Sequence, residues 1–354
     1  MGACCPRGLG ALATQAPAEH EPAERDGGER DVGEPNPAER APAQRDTAQR
    51  TPGRDPRAGS RPGCRPTSAV AEPDWVEIAG GELRIGAADP EGFASDGEGP
   101  ARSVRLSPYR ISSTAITQAQ FAAFVADTGY RTEAEIVGES FVFYLQLDRA
   151  ARAAIRRVVA DTPWWLIVPG ASWRAPFGPD SEGEPLADHP VVHVSWNDAQ
   201  AWCAWAGCTL PTEAQWEHAA RGGREGARYP WGDVFEPDGK RRCNTWQGRF
   251  PNAPALGWRP GTVPVDAFEP NGFGLYNTSG NVWEWCADWF NADYHRGTAS
   301  ADPLDRRASG RRSQRGGSFL CHADWCNRYR CAARGSNTPT SSTSHTGFRV
   351  VATS

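Results

Sequence analysis

No Phe, Tyr or Trp occurs before Trp75; all 15 Trp, 13 Phe and 7 Tyr lie at or after it. A core needs large apolar side chains, so order is expected to begin there. Residues 1–73 are built from Pro, Ala, Gly, Glu and Arg in loose repeats (PAER, PAER, PAQR, TAQR). Such a segment cannot bury enough apolar surface to offset its ordering entropy and is expected to be a disordered extension. After residue 75 no linker interrupts the chain, so 74–354 reads as one domain. With 38 Gly and 30 Pro, that domain should be loop-rich rather than built on long helices: α+β, compact, with little regular secondary structure. The net charge of -5 gives no reason to expect nucleic acid as a partner. Nearly all positive charge is Arg, with Lys240 the single Lys, as a GC-rich coding sequence would give. No apolar run nears the ~20 residues of a membrane span, and the first thirty residues lack a signal-peptide h-region, so no membrane association is expected. Met1-Gly2 with Cys4-Cys5 hints at lipidation, but Pro6 stands where a myristoylation motif has Ser or Thr.

Local signals place the elements. Strands are expected on both sides of Gly80-Gly81, from Ala101 to Ile111, and at Phe141–Tyr144. Thr117 with Gln120 forms a capping box, and Phe121, Phe124 and Val125 share the face of a helix that Gly129 stops. A short helix is expected from Arg149 to Asp161, ended by Pro163, then a loop carrying Trp164, Trp165 and Trp173. His189–Trp196 reads as strand-like and leads into a helix begun by Ser195 and Asp198 and closed by Gly207. Another runs from Thr212 to Gly222-Gly223, and Tyr229–Gly232 is a turn. Beyond it regular structure looks sparse.

Within Arg315–Val350, Cys321, Cys326 and Cys331 stand five residues apart. Five residues turn a helix by about 500°, and an odd spacing in a strand points to opposite faces, so Cys321 and Cys326 can meet only across a bend. His322-Ala-Asp-Trp325 can supply it. Two thiolates suit a soft monovalent ion such as Cu(I), whereas structural zinc wants four ligands. Arg328, Arg330 and Arg334 are placed to lower the thiol pKa values. From spacing alone, buried packing cysteines remain the default.

Five phrases stand together: Asp188-His-Pro-Val-Val-His-Val-Ser-Trp-Asn-Asp198, Leu210-Pro-Thr-Glu-Ala-Gln-Trp-Glu217, Asn271-Gly-Phe-Gly-Leu-Tyr-Asn277, Gly280-Asn-Val-Trp-Glu-Trp285 and the closing Arg315–Val350 stretch. Together, over about residues 75–351, they resemble the formylglycine-generating enzyme family, the sulfatase-modifying factors, of the C-type-lectin-like superfamily. The narrowest part is Gly-Gly-Ser-Phe-Leu-Cys-His with Cys326 and Arg-Tyr-Arg-Cys-Ala-Ala-Arg, which looks like the oxidase's two-cysteine site. The resemblance implies that Cys321 and Cys326 bind Cu(I) near-linearly and that a sulfatase cysteine enters as third ligand. Dioxygen, with a thiol reductant, then drives its conversion to Cα-formylglycine. The implied client is an unfolded sulfatase carrying Cys-x-Pro-x-Arg. Ser318 matches the serine beside the copper; alternatively it is a turn serine. Trp283 matches an aromatic wall of the pocket, or alternatively is a core Trp; His322 matches a substrate-cleft residue, Trp325 stands where the family has Tyr, and His345 stands where some members have Asn. Glu139 matches one of two acids that receive the substrate arginine; Ala115 occupies the other position.

The resemblance also implies calcium. Asn277, Gly280, Val282 and Glu284 match one site, and oxygen donors of that kind suit a hard ion. Asn244 and Thr245 match part of a second, whose remaining loop, Pro251–Gly261, has no acid. Family disulfides would join Cys203 and Cys331 to positions held here by Val350 and Ala220, which points to thiols in a reducing, bacterial-type cytoplasm. Cys208, Cys243 and Cys286 are then packing residues, and a monomer is expected. The alternative is a non-catalytic peptide- or protein-binding module of the same superfamily, against which the retained cysteine pair argues. A sulfoxide-synthase-type iron enzyme would need a helical domain with iron-binding histidines, and residues 1–73 contain only His20.

Overall fold

The computed structural model describes residues 72–87, 89, 91–181 and 186–353, with the backbone of 13–15. The chain divides into Met1–Ala16 with Arg65–Ser354, and Pro17–Cys64. Pro17–Cys64 lies wholly outside the described residues. So does almost all of the extension expected to be disordered; Ala13–Gln15 is an exception, a strand antiparallel to Arg157–Val159.

Two Gly with left-handed backbones, Gly80 (φ 70°) and Gly81 (φ 112°), separate the first core strands. A Cβ on Gly80 would lie 2.4 Å from the Leu106 carbonyl oxygen, so only glycine fits this turn. The turn sends Trp75–Ile78 and Gly81–Ile85 into different sheets. Gly81–Ile85 pairs with Arg102–Leu106. Trp75–Ile78 joins a four-stranded sheet in the order Trp75–Ile78, Tyr109–Ser112, Val351–Ala352, Cys208–Thr209.

The capping signals hold. Helix α1 (Gln118–Thr128) starts on the Thr117/Gln120 box, stops at left-handed Gly129 and buries Phe121, Phe124 and Val125. A second box at Thr132/Glu135 starts the short α2 (Glu133–Val137). Helix α3 is only Arg149–Ala154, shorter than the expected Arg149–Asp161. The β-branched run that follows forms Arg157–Val159 and the eight-residue strand Thr162–Pro169, so Trp164 and Trp165 sit in a sheet and not in a loop. Glu139–Phe143 pairs with that strand, and Tyr144 begins a short 3-10 turn. His189–Trp196 is not a strand. His193 takes a positive φ of 58°, and its buried ring bonds Ser140 Oγ at 2.8 Å and the Pro176 carbonyl at 2.9 Å. Burial pushes this imidazole down to about 3, so it is neutral.

Helix α4 (Trp196–Ala206) has the expected Ser195/Asp198 box and Gly207 cap. Its Trp202 packs with Phe121, Trp285 and Phe348, and is 0 % exposed. Each such side chain contributes about 1.5–3 kcal/mol by burial. Helix α5 (Glu213–Arg221) begins on the Thr212/Gln215 box. A short α6 (Tyr294–Gly297) follows later. The last third is more regular than expected: a four-stranded sheet runs Gly335–Asn337, Arg312–Arg315, Trp283–Trp289, Thr346–Gly347. Its central strand, Trp283–Trp289, buries Glu284 and Asp288 as well as its Trp residues, so burial does not follow the apolar pattern.

Candidate active site

Buried arginines fix the ends of the cysteine loop. Arg315, at the end of its strand, donates to Glu213 (2.8 Å) and Glu217 (3.1 Å) of α5. Its remaining donors reach the Cys331 and Ala333 carbonyls, both at 3.2 Å. On the far side of the loop, Arg330 forms a two-pronged pair with Glu98 at 2.6 and 2.7 Å. Arg328 binds Asp96 at 2.5 Å, and Arg334 binds Glu213 through two bonds of 2.7 Å. Arg328, Arg330 and Arg334 were expected to add positive potential at the thiols. They are matched by carboxylates and hold the backbone, because burying a cation requires a paired and hydrogen-bonded partner.

Between these anchors the chain turns at Gly316 and Gly317 (φ 90° and 68°). A Cβ on Gly317 would stand 2.9 Å from the Arg328 carbonyl oxygen and 3.1 Å from Cys321 Sγ. The expected bend is present. The His322 carbonyl accepts from the N–H groups of Trp325 (3.1 Å), Cys326 (2.9 Å) and Asn327 (2.9 Å). This closes the loop and sets Cys321 Sγ 2.8 Å from Cys326 Sγ, with both residues 0 % exposed. A disulfide bond is about 2.05 Å, so the pair remains as thiols. The Ser318 N–H donates to Cys321 Sγ at 3.4 Å, while its hydroxyl oxygen accepts from the Leu320 N–H at 3.2 Å. Ser318 thus sits against the thiol and braces the turn.

The walls are aromatic. Trp283, Tyr229 and Tyr329 pack with the cysteines, with Trp325, Trp231 and Phe235 at the partly buried edge. Tyr229 and Tyr329 were not among the expected site residues, and nothing local marks them as such: they reach the site from two loops. Burial, then Tyr229 and Cys321, pushes the Tyr329 phenol up, so it stays a protonated donor. Trp325 stacks on Phe250 (5.7 Å, 26°) and meets Trp164 edge-on (5.2 Å, 83°). Its indole N–H finds no acceptor among the described residues, nor does that of Trp283.

Other expected site residues are dispersed. His322 lies at the bend, its side chain 21 % exposed, with Nδ1 accepting from the Asp324 N–H at 3.2 Å. His345 is fully buried: Nδ1 bonds Thr343 Oγ1 at 2.6 Å, and its carbonyl accepts from the Trp283 N–H at 2.9 Å. Its backbone thus holds the start of the strand that carries Trp283, while its ring lies against Trp165. Glu139 pairs with Arg157 of the neighbouring hairpin, so its carboxylate already has a cation. Ala115 packs among Val192, Val265 and Val282.

Two soft sulfur donors fit a monovalent ion chemically. Their spacing does not yet fit the near-linear arrangement: with metal–sulfur bonds of about 2.3 Å, as for zinc thiolates, they would have to part to about 4.6 Å. Among the described residues no group of three or more His, Cys, Asp and Glu could hold a metal. For calcium, Asn277 Oδ1 is a buried acceptor with no donor among the described residues. Glu284 differs from expectation. Arg349 donates to both its oxygens (2.6 and 2.8 Å) and Trp216 to one (2.6 Å), so the carboxylate is neutralised within the chain. At Asn244 the amide nitrogen donates to the Gly261 carbonyl at 2.9 Å and to Asn281 Oδ1 at 3.2 Å. With no acid in the adjoining loop, Asn244 and Thr245 do not fit a second calcium.

Residues 62–354 match the family model of the sulfatase-modifying factor enzyme 1-like domain. The chain is 54 % identical over 281 residues to the formylglycine-generating enzyme of Thermomonospora curvata, covering 78 % of this chain and 92 % of that one. It is 43 % identical over 280 residues to the inactive Cα-formylglycine-generating enzyme 2 of Bos taurus, covering 78 % and 87 %. Among solved structures, PvdO from Pseudomonas aeruginosa superposes with a TM-score of 0.57 at 22 % identity, covering 83 % and 99 %, a likeness of fold.

Proposed function

Because the chain belongs to the sulfatase-modifying factor family, we propose that it oxidises a cysteine of an unfolded sulfatase, within Cys-x-Pro-x-Arg, to Cα-formylglycine. The observation that carries this reading is the Cys321–Cys326 pair, two buried thiols 2.8 Å apart packed within an aromatic cluster. Copper(I) held by these two sulfurs would supply the activation of dioxygen. The chain's own part is positioning. The arginine anchors fix the loop, Trp283 and Tyr329 exclude water, and Ser318 holds its N–H on Cys321. Preorganisation of this kind replaces a bimolecular encounter by a bound one. A thiol reductant, dioxygen and a monomeric state belong to the same proposal. So does a reducing cytoplasm, which suits buried thiols; no helix among the described residues is long and apolar enough to cross a membrane. Calcium is proposed at Asn277 with the Gly280 and Val282 carbonyls, without Glu284.

Copper-loaded protein supplied with oxygen and a Cys-x-Pro-x-Arg peptide is expected to give the aldehyde product by mass spectrometry. An unchanged peptide would support instead the non-catalytic reading, which the inactive bovine relative keeps in view.

Trp325 offers a partly exposed indole beside Cys326, braced by Phe250 and Trp164. Its face is proposed to receive the peptide. Trp325→Ala should raise KM about 10-fold, near 1.4 kcal/mol, with kcat held within about threefold. A fall in kcat at unchanged KM would show that Trp325 acts on the reacting sulfur and not on peptide binding.

A further inference from the structure

Helix α4 ends in a cap that folds two thiols together. Gly207 is left-handed (φ 69°, ψ 37°), and its N–H donates to the Cys203 carbonyl. In a cap of this type the residue after the glycine packs back on the residue whose carbonyl is capped. Here those residues are Cys208 and Cys203. The two thiols are close enough to influence one another's ionisation, and both lie in the cluster with Trp202, Leu210 and Val350. Cys203 is 1 % and Cys208 7 % exposed. Cys208 also opens a strand whose neighbour is Val351–Ala352, with Ala352 opposite Cys208.

We propose that Cys203 and Cys208 form a disulfide when the chain folds in the presence of a small-molecule disulfide. One thiolate attacks the oxidant's S–S bond and releases one thiol. The second thiolate then attacks the mixed disulfide and releases the other. One S–S bond forms in the chain, and two protons and two electrons pass to the oxidant, which leaves as two thiols. The reaction belongs to folding, before the core closes. Once native, burial holds the Cys203 thiol well above its ordinary range, and a thiol without thiolate character is a poor nucleophile. Val350 stands where the resemblance would place a partner for Cys203; the cap supplies a different one. This inference does not depend on the oxidase reading.

The test uses the tryptic fragment 175–221, which contains Cys203 and Cys208 and no other cysteine. Cys321 and Cys326 fall in a separate fragment, 316–328. The full chain is refolded from denaturant in reduced and oxidised glutathione, alkylated without reduction, and digested. Fragment 175–221 is expected to be lighter by the two lost hydrogens and to carry no alkyl group. The bridged protein is also expected to melt at a higher temperature than the same preparation after reduction. Fragment 175–221 with both thiols alkylated, or carrying glutathione, overturns the proposal. Cys208→Ser should leave Cys203 alkylated; a protected Cys203 in that variant would assign the bond to another cysteine and likewise overturn it.

Discussion

Cys321→Ala is expected to reduce conversion of a Cys-x-Pro-x-Arg peptide by well over the roughly 10–100-fold that losing a mere metal-orienting neighbour costs. Cys326→Ala should do the same, because each supplies half of a two-sulfur site and nothing adjacent can replace it. The expected change lies in kcat, read by mass spectrometry against time at saturating peptide, with the melting temperature near wild type. Cys331→Ala is the control. Cys331 keeps the five-residue spacing, but its side chain packs against Trp216, Ala220 and Cys286, and burial pushes its thiol up to about 12. That variant should retain activity. If Cys321→Ala kept wild-type turnover, the pair would be structural and the assignment of the site would fail.

Glu213→Gln should cost about 3–5 kcal/mol of folding stability, measured by urea unfolding, because it breaks a buried ion-pair network by removing one partner. Glu213 accepts from Arg315, Arg334 and Ser313, and is itself 0 % exposed. The network continues through Glu217 to Arg221, bonded at 2.7 Å. Arg315 would retain Glu217, but Arg334 would keep only carbonyl acceptors. The pH dependence has a definite sign. Against the desolvation that raises it, Arg334 and Arg315 hold the Glu213 carboxyl down to about 2. Its unfolded value is about 4.3. A depressed carboxylate stabilises fully above the unfolded value and loses that contribution as pH falls through about 2. The wild type should therefore lose stability across that acid window more steeply than Glu213→Gln. A variant as stable as the wild type at pH 7 would show that the arginines find other partners on unfolding of the network.

Much of this was legible where the signal is local. The capping boxes at Thr117, Ser195 and Thr212 each depend on residues three apart, and each starts the helix it marks. The bend between Cys321 and Cys326 followed from spacing. What local sequence hid depends on distant contacts. Arg328, Arg330 and Arg334 lie near the thiols in sequence, yet their carboxylate partners come from residues 96, 98 and 213. Glu284 carries the expected oxygen atoms, but Arg349, sixty-five residues on, engages them. His345 bonds the Trp283 backbone because the strand Thr346–Gly347 runs parallel to Trp283–Trp289, a pairing that local sequence does not reveal. Trp325 stands where the family has Tyr. Its flat face is matched by Phe250 and Trp164, which reach it from separate segments.

A codon-level bias toward arginine accounts poorly for the four that are buried around the site. Arg315, Arg330, Arg334 and Arg349 each divide one guanidinium among carboxylate and carbonyl acceptors lying in different directions. An ammonium group has three donors around a single nitrogen and cannot span those acceptors. Over the rest of the gene, drift in base composition exchanges surface Arg for Lys at little cost. At these four positions the shape of the cation closes that route, so they should remain arginine however the genome's composition moves.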